Sequence, residues 1–269
     1  MNDLSDQLPH YNSPPVIEVV LGVQFEELPG FLSVHFGSFW ECVRSDYPEA
    51  EDRPPLPSVF EERPSQEPSL EFLDVPPLRR VFLVHSSKNY LLQVQPTRFL
   101  HNWRKLKPTD AYPRFAAAEE RFLSNWSIFR RFVEQNKFGS LKANQYELTY
   151  INHILSDEKG FPHAIHEYSY VFNWPNQRPN FFLPDPASLA IDIKFRLPEK
   201  CGMLHVNVKH GRRLPDKMEV LILELTARGP AQSDASDMKG WFSIAHEWIV
   251  RGFTDLTTTI AHERWGRTR

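Results

Sequence analysis

The alternation of apolar and polar positions along this chain predicts an antiparallel β-sheet. Residues 16–26 alternate directly after Pro14 and Pro15, and residues 80–85 with 90–95 predict a hairpin around a polar turn. Five further alternating runs, separated by turn residues, cover 144–155, 167–174, 189–197, 204–210 and 218–226. Because the connections between consecutive runs are short, antiparallel neighbours are favoured over parallel crossovers.

Three segments carry apolar residues at the three- to four-residue spacing of amphipathic helices. They cover residues 31–47, the stretch from Thr109 and Asp110 to Gly139, and residues 236–263. Thr109-Asp110 is a good helix cap, and Gly139 is a typical helix end. We therefore expect an α+β fold, a curved antiparallel sheet with three long amphipathic helices, the C-terminal helix packed across the sheet.

Residues 48–78 carry many prolines among acidic side chains, which predicts a long irregular connection, either a strapped surface loop or a mobile segment. A length of 269 residues allows one large domain or two small ones. We expect a single compact α+β unit over residues 1–269, and a two-lobed split near residue 140 is the alternative.

Composition and charge narrow the class of protein. The hydrophobic share of 41% and the aromatic share of 13% are enough for a sizeable core. A net charge of −3 gives no global electrostatic argument for nucleic-acid binding. Cys42 and Cys201 lie far apart, so we expect no disulfide framework and a reducing compartment.

The chain shows no targeting or membrane signal. Residues 1–10 are polar and lack a basic-then-apolar signal pattern. Every apolar stretch is shorter than the roughly 20 residues that a membrane span needs. These features predict a cytoplasmic protein without a membrane partner.

Polar side chains are predicted to share one face of the sheet, because alternate residues of a strand point to the same side. The amide and carboxylate groups of this band, and the residues that follow its hairpin, are Glu18, Gln24, Gln93, Gln95, Arg98, Asn102, Trp103, Gln145 and Glu147. Amides supply donors and acceptors and an indole supplies a stacking surface, which suits a small polar ligand or a base. The alternative is the solvated face of a half-covered sheet.

Two basic features are further candidates. Arg114, at the start of a predicted helix, either binds an anion with help from the helix N-terminus or fixes the entry of the chain. A cluster near the predicted strand 204–210 either contacts a phosphate backbone or acidic protein surface, or forms a solvated hairpin tip. Its members include Arg196, Lys209, Arg212 and Arg213.

Metal and nucleophile motifs do not emerge from the sequence. His246-Glu247 and His262-Glu263 carry metal-ligand residue types, but on one continuous helix the two histidines would point roughly 160° apart. His163 and His166 make at most half of a zinc site. Gly-x-Ser-x-Gly and phosphate-binding glycine loops are absent from the sequence. We therefore predict no metal, no cofactor and no catalytic residue.

Several short motifs run nearly end to end along the chain in a fixed order. They are Pro14-Pro15-Val16-Ile17-Glu18, Phe39-Trp40, Pro54-Pro55-Leu56, Leu92-Gln93-Val94-Gln95, Arg98-Phe99, Asn102-Trp103, Tyr112-Pro113-Arg114, Gln145-x-Glu147-Leu148-x-Tyr150-x-Asn152, His246-Glu247, Thr257 and Trp265-Gly266. Together they resemble a sporadically distributed, uncharacterised bacterial protein family of about this length. The resemblance implies an accessory bacterial protein with no established activity, suited to a mobile element, a defence locus or a toxin-related locus.

Three functional hypotheses follow. The first is a non-catalytic binding or interaction subunit of such an accessory system, with a protein partner or self-association. The second is an enzyme acting on nucleotides or nucleic acid, with a pocket around Gln95, Arg98, Asn102, Gln145 and Glu147. The third is nucleic-acid binding through the basic cluster, with an affinity that falls steeply with salt.

Overall fold

A computed structural model describes residues 8–57, 59, 80–155, 190–212, 218–231 and 237–269 of the chain. Nine strands lie in these residues. They are β1 (Val16–Phe25), β2 (Glu49–Arg53), β3 (Arg80–Val84), β4 (Tyr90–Gln95), β5 (Arg98–Arg104), β6 (Ala143–Leu155), β7 (Ala190–Arg196), β8 (Met203–Arg212) and β9 (Glu219–Pro230). The helices are α1 (Val34–Val43), α2 (Phe115–Gln135), α3 (Asp237–Leu256) and the short α4 (Thr259–Arg264).

All nine strands belong to one open antiparallel sheet in the order β2-β3-β4-β5-β1-β6-β9-β8-β7. The first strand lies between β5 and β6, so strands from before and after residue 140 pair directly with each other. Helix α3 contacts β6, β8 and β9. The predicted α+β class, with an antiparallel sheet, three long helices and a C-terminal helix packed on the sheet, is confirmed.

Two strands were missed by the sequence pattern. Strand β5 is rich in polar residues, including Arg98, His101 and Asn102, which hide its alternation. It forms because β4 and β1 pair with it on both sides. Strand β2 consists of exposed, mostly acidic residues with low strand propensity, and the ladder with β3 holds it at the sheet edge. The predicted irregular connection therefore contains a strand at 49–53.

The helix boundaries also differ from those predicted. Asp110 does not cap α2, because its carboxylate accepts the backbone N–H groups of Leu106 and Lys107 at 2.9 and 2.8 Å. The predicted continuous helix 236–263 breaks after α3. There the Thr257 hydroxyl donates to the Phe253 carbonyl at 2.6 Å, and Thr258 caps α4 by accepting from the Ala261 N–H. Side-chain hydroxyls that compete with backbone hydrogen bonds favour such a break.

The hydrophobic core lies between one face of the sheet and the long helices. Alternate β1 residues, including Val19, Leu21 and Phe25, point into it. Phe129 of α2 packs on Phe25 with ring centres 5.8 Å apart. The core on this side of the sheet is therefore largely aromatic, and we call this side the helix side. The helices among the described residues are all too short or too polar to cross a membrane.

Two sequence-based predictions fall outside the described residues. The strand expected at 167–174 is one of them, and the pair His163 and His166 is the other. The described chain contains no disulfide, since Cys42 is exposed and Cys201 is buried.

Candidate functional site

Four polar side chains form a straight row across the sheet on the face away from the long helices. Gln95 of β4 lies opposite Arg98 of β5, Arg98 lies opposite Gln24 of β1, and Gln24 lies opposite Gln145 of β6. We call these four residues the glutamine row. Because they are direct cross-strand neighbours, their side chains point the same way at strand spacing, roughly 4.8 Å apart.

The glutamine row is covered by a segment of the chain itself. The segment, which we call the strap, comprises residues 54–57 and 59 and leaves the end of β2. Under it the row side chains are almost fully buried, with exposures of 3% to 6%. Most strap side chains, including Pro54, Pro55 and Pro57, are exposed to solvent. The strap therefore seals polar groups rather than adding to the apolar core.

Two glutamines bind the strap through the same paired geometry. The Gln95 amide accepts the Leu56 N–H at 3.0 Å and donates to the Leu56 carbonyl at 3.0 Å. The Gln24 amide accepts the Val59 N–H at 3.1 Å and donates to the Val59 carbonyl at 3.2 Å. A primary amide carries the same donor and acceptor as a peptide group, so each glutamine acts like a neighbouring strand.

The other two members of the row complete this network. Gln145 donates to the Val59 carbonyl at 2.7 Å. Arg98 donates to the Gln24 side-chain oxygen at 2.6 Å and to the Pro57 carbonyl at 3.2 Å. Burial lowers the pKa of Arg98, and nearby Glu147 opposes this effect. The functional groups of the row are thus engaged with each other and with backbone of the strap.

A second hydrogen-bonded chain lies on the same face. Arg80 donates to Gln93 at 2.6 Å, Gln93 donates to Asn102 at 2.8 Å, and Asn102 donates to the Glu18 carboxylate at 2.6 Å. Burial raises the pKa of Glu18, while the hydrogen bond from Asn102 works against that rise. Nearby, Arg228 donates to Glu147 at 2.8 Å.

The structure therefore brings together six of the predicted ligand-binding residues. These are Gln93, Gln95, Arg98, Asn102, Gln145 and Glu147. Trp103 is one residue out of phase with Asn102, so its side chain points to the helix side and lies 5.5 Å from the Tyr112 ring. Arg114 also lies on the helix side. Binding of a ligand or base by the six stays a prediction, since in the structure they bind protein groups.

A cavity of about 1000 Å³ lies on the helix side. We call it the helix-side cavity. Residues 8–16, the start of α2, the strand β6 and α3 surround it, and most of its wall is apolar. Phe115, Ile249 and Phe253 are among its apolar lining residues. A pocket of this size, apolar with a few polar groups, is the usual form of a small-molecule site.

Two tyrosines and a histidine form a polar cluster on the cavity wall. The Tyr112 and Tyr150 hydroxyls are hydrogen-bonded at 2.8 Å. Burial raises the pKa of Tyr112 to about 12 and the pKa of Tyr150 well above its ordinary value. His246 stacks on Phe115 with ring centres 4.0 Å apart and nearly parallel planes, and burial lowers its pKa to about 4. All three groups are therefore neutral near pH 7.

Two residues that line the cavity each carry a buried acceptor without a hydrogen-bond partner among the described residues. One is Oε1 of Glu119 on α2, and the other is Oδ1 of Asn152 on β6. Glu119 is 8% exposed and Asn152 is 1% exposed. Burial raises the pKa of Glu119, opposed by the charge of Lys239. An unsatisfied buried acceptor costs about 1–3 kcal/mol, so a pair on one wall calls for an explanation.

Arginine side chains mark one border of the helix-side cavity. Arg114 precedes α2 with a φ of 70°, an uncommon conformation for a residue with a side chain, and it donates to the Tyr11 carbonyl at 3.0 Å. Arg269 is exposed and also lines the cavity. Burial lowers the pKa of His10 beside them, and the charges of Arg114 and Arg269 lower it further.

Sequence reasoning missed this cavity, although it had quoted some of its residues. The sequence predicts no metal site at His246, and for Arg114 it predicts either anion binding or a role in fixing the entry of the chain. The sequence contained one indication of the cavity, because Asn152 lies on the same face of β6 as the buried residues Leu148 and Tyr150. A buried amide on the core face of a strand is the kind of exception that needs a partner.

The members of the basic cluster are spread along β7 and β8. Lys209 pairs with Ala190 at one end of β7, and Arg196 pairs with Met203 at the other end. These two cations are therefore roughly 20 Å apart along the strands. Arg212 lies 3.5 Å from the Glu219 carboxylate. Arg213 lies outside the described residues. Nucleic-acid or acidic-partner binding by this cluster stays a prediction.

The two His-Glu pairs lie in separate environments. The helix does break between His246 and His262, but His262 bonds with the Thr257 hydroxyl at 2.8 Å and with Arg267 at 3.2 Å. In the described part of the chain, no three His, Cys, Asp or Glu side chains are placed to share a metal ion.

Comparisons of the chain with protein-family models, curated proteins and solved structures found no match. The family resemblance suggested by the short motifs stays a prediction. The functional proposal therefore rests on geometry and chemistry. The helix-side cavity carries it.

Proposed function

We propose that this protein is a non-catalytic binding protein whose helix-side cavity holds a small, mostly apolar molecule with a hydrogen-bond donor. The observation that carries the proposal is the large, mostly apolar cavity, in whose wall Glu119 and Asn152 each hold a buried oxygen without a partner among the described residues. Both oxygens are closed to solvent as the side chains stand, so an O–H or N–H group of a ligand would pair with one of them after that side chain turns towards the cavity. The apolar body of the ligand would fill the remaining volume of about 1000 Å³.

The pKa values of His246 and Tyr112 argue against either side chain as a general acid or base. A general acid or base works best with a pKa near the operating pH. In this cavity burial moves the pKa of His246 to about 4 and the pKa of Tyr112 to about 12, both away from neutrality. These groups are suited to holding a neutral molecule through hydrogen bonds and ring contacts.

The wider prediction concerns biological context. It assigns the protein to an accessory bacterial system, defence- or mobile-element-associated, in which it works with a protein partner or with itself. Cytoplasmic location belongs to the same prediction. The cavity is compatible with such a role, because a bound small molecule can bias which partner surface is presented.

Carbazole and N-methylcarbazole test the proposal, because both are flat and apolar and only carbazole has an N–H donor. We expect carbazole to bind with one-to-one stoichiometry in calorimetry and about tenfold more tightly than its methylated analogue, in line with one hydrogen bond to a buried acceptor. Native mass spectrometry of protein purified from cells gives an independent readout, in which a retained small molecule is expected.

Two tryptophan variants test whether carbazole binds in the helix-side cavity. Val250→Trp fills the cavity and should weaken carbazole binding at least tenfold. Leu106→Trp adds the same side chain at an exposed position away from the cavity and should leave binding unchanged. If the two probes bind equally tightly, or if Val250→Trp leaves carbazole affinity unchanged, the cavity is not the binding site.

A further inference from the structure

We infer that the glutamine row is a recognition site for extended polypeptide backbone, with the strap as its resident occupant and a proline-containing segment of a partner protein as its exchangeable ligand. The inference concerns the face opposite the helix-side cavity and does not depend on ligand binding there. It rests on how Gln95, Gln24, Gln145 and Arg98 contact the strap.

The contacts recognise backbone and ignore side chains. Gln95 and Gln24 each take both the N–H and the carbonyl of one strap residue, Leu56 and Val59 respectively. Gln145 and Arg98 add bonds to carbonyls of the strap. Main-chain pairing gives affinity for any extended segment, as in strand addition at a sheet edge, while the fit of side chains sets preference.

The spacing of the row matches an extended, proline-rich peptide. Leu56 and Val59 are three residues apart, which is one turn of a polyproline II helix and roughly 9 Å along its axis. Gln95 and Gln24 are separated by one intervening strand, or roughly 9.5 Å. Leu56 precedes Pro57, a position that disfavours helical backbone and keeps the peptide extended.

The strap is held in a way that allows exchange. Its prolines are exposed, and only Leu56 and Val59 are partly buried. Lifting the strap would expose the amides and the guanidinium of the row, which water solvates well. Segments with few buried apolar contacts belong to the least stable parts of a fold and open without global unfolding.

Hydrogen exchange tests whether the row becomes free. The Leu56 and Val59 amides are expected to exchange at least a hundredfold faster than the Leu21 amide in the core of β1. Protection as strong as that of Leu21 would mean that the strap opens only when the protein unfolds. In that case the row is a permanent structural contact and the inference fails.

A peptide with the sequence of residues 53–60 tests binding in trans. The probe is fluorescently labelled, and its receptor is the full chain carrying Leu56→Pro and Val59→Pro, which removes both N–H groups of its own strap while leaving the row intact. We expect this receptor to bind the peptide at least tenfold more tightly than the wild-type chain. Failure to bind a receptor that stays folded by circular dichroism would overturn the inference.

Controls separate backbone pairing from other effects. Leu56→Ala with Val59→Ala trims the same side chains but keeps both N–H groups, so it should release the strap less than the proline variant. Adding Gln95→Leu to the proline receptor should cut peptide affinity about tenfold, whereas adding Thr149→Val, elsewhere on the same face, should not. Equal loss from both would show a general effect on the sheet.

The oligomeric state distinguishes a partner from a second copy. Wild-type protein is expected to remain at monomer mass as its concentration rises in light scattering. A dimer that forms in the wild type and disappears in the proline variant would mean that straps exchange between copies of this chain. That outcome would replace the partner-peptide assignment.

Discussion

The glutamine row and the wall of the helix-side cavity differ in how their buried polar groups are satisfied. Beneath the strap, the row side chains bond to one another and to backbone, and Gln24 alone contacts Val59, Asn144 and Arg98. On the helix side, Glu119 and Asn152 each keep a buried oxygen with no partner in the described structure. The chain itself satisfies the row through the strap, whereas the two acceptors beside the cavity are not satisfied by the described chain.

The two faces of the sheet differ in what they contribute to stability. The helix side buries aromatic rings in mutual contact, such as Phe122 and Phe242 at 5.2 Å between ring centres. The opposite face, which we call the strap face, buries some apolar side chains such as Leu91 and Leu100, but its contacts with the strap are mainly hydrogen bonds, each of modest net value. We therefore expect the helix side to dominate folding, and the strap face to be adjustable without loss of the fold.

The largest expected effect is loss of a core ring. Phe242→Ala should lower the free energy of unfolding by about 3–5 kcal/mol, because it removes a fully buried aromatic side chain and leaves a cavity. Gln95→Ala, on the other face, should cost about 1–2 kcal/mol. Urea unfolding of both variants measures the difference. Equal losses would show that the strap face contributes as much as the core.

Acid should lower the free energy of unfolding through His246 on the helix side. The pKa of His246 is about 4 in the folded protein and about 6.5 when unfolded, so the unfolded state binds the extra proton between these values. Stability is then full above pH 6.5 and falls as the pH drops towards 4. The loss is at most about 3 kcal/mol.

A comparison with His246→Phe isolates this contribution. Phenylalanine keeps the stack on Phe115 but cannot take a proton. The raised pKa values of Glu18 and Glu119 act in the opposite direction, and they are common to both proteins. The stability difference between wild type and variant should therefore change between pH 6.5 and 4. A constant difference across that range in urea titrations would contradict neutral burial of His246.

Removal of a buried polar group is expected to change the free energy of unfolding in opposite directions on the two faces of the sheet. Glu119→Leu should raise stability at neutral pH by about 1 kcal/mol, because an unpartnered buried acceptor is lost. Gln145→Leu should lower it by about 1 kcal/mol, since the bond to the Val59 carbonyl disappears. Thermal unfolding without added ligand measures both. If Glu119→Leu destabilises the protein, the carboxylate of Glu119 has a structural role. The same variant should also weaken carbazole binding.

The smallest expected effect lies at the border of the cavity. Glu247 accepts from Arg251 at 2.8 Å one helical turn away, in a partly exposed ion pair. Glu247→Gln should cost about 0.3–0.5 kcal/mol, as is usual for such pairs on helices. Carbazole affinity should stay unchanged in calorimetry. A tenfold change in carbazole affinity would indicate that Glu247, and not Glu119 or Asn152, recognises the polar group of the ligand.

Much of the strap face was predictable from the sequence. The two-residue period of β4 and β6 places Gln93 with Gln95 and Gln145 with Glu147 on one face, because successive side chains of a strand alternate. The period could not reveal β5, whose polar residues mask its alternation. The position of Trp103 on the opposite face follows directly from that missing strand. Prolines at 54, 55 and 57 predicted an irregular segment, but not its course over the row.

The chain's own residue pattern determined the α+β class, the three long helices and the faces of most strands. These depend on short-range periodicity, which is local information. Tertiary structure alone decided which strands are neighbours, and hence the straight row from Gln95 to Gln145 beneath the strap. It also gathered the cavity wall from residues 8–16, 112–119, 150–152 and 243–253. Such sites depend on long-range pairing and packing, and no local pattern encodes the distance between segments so far apart in the chain.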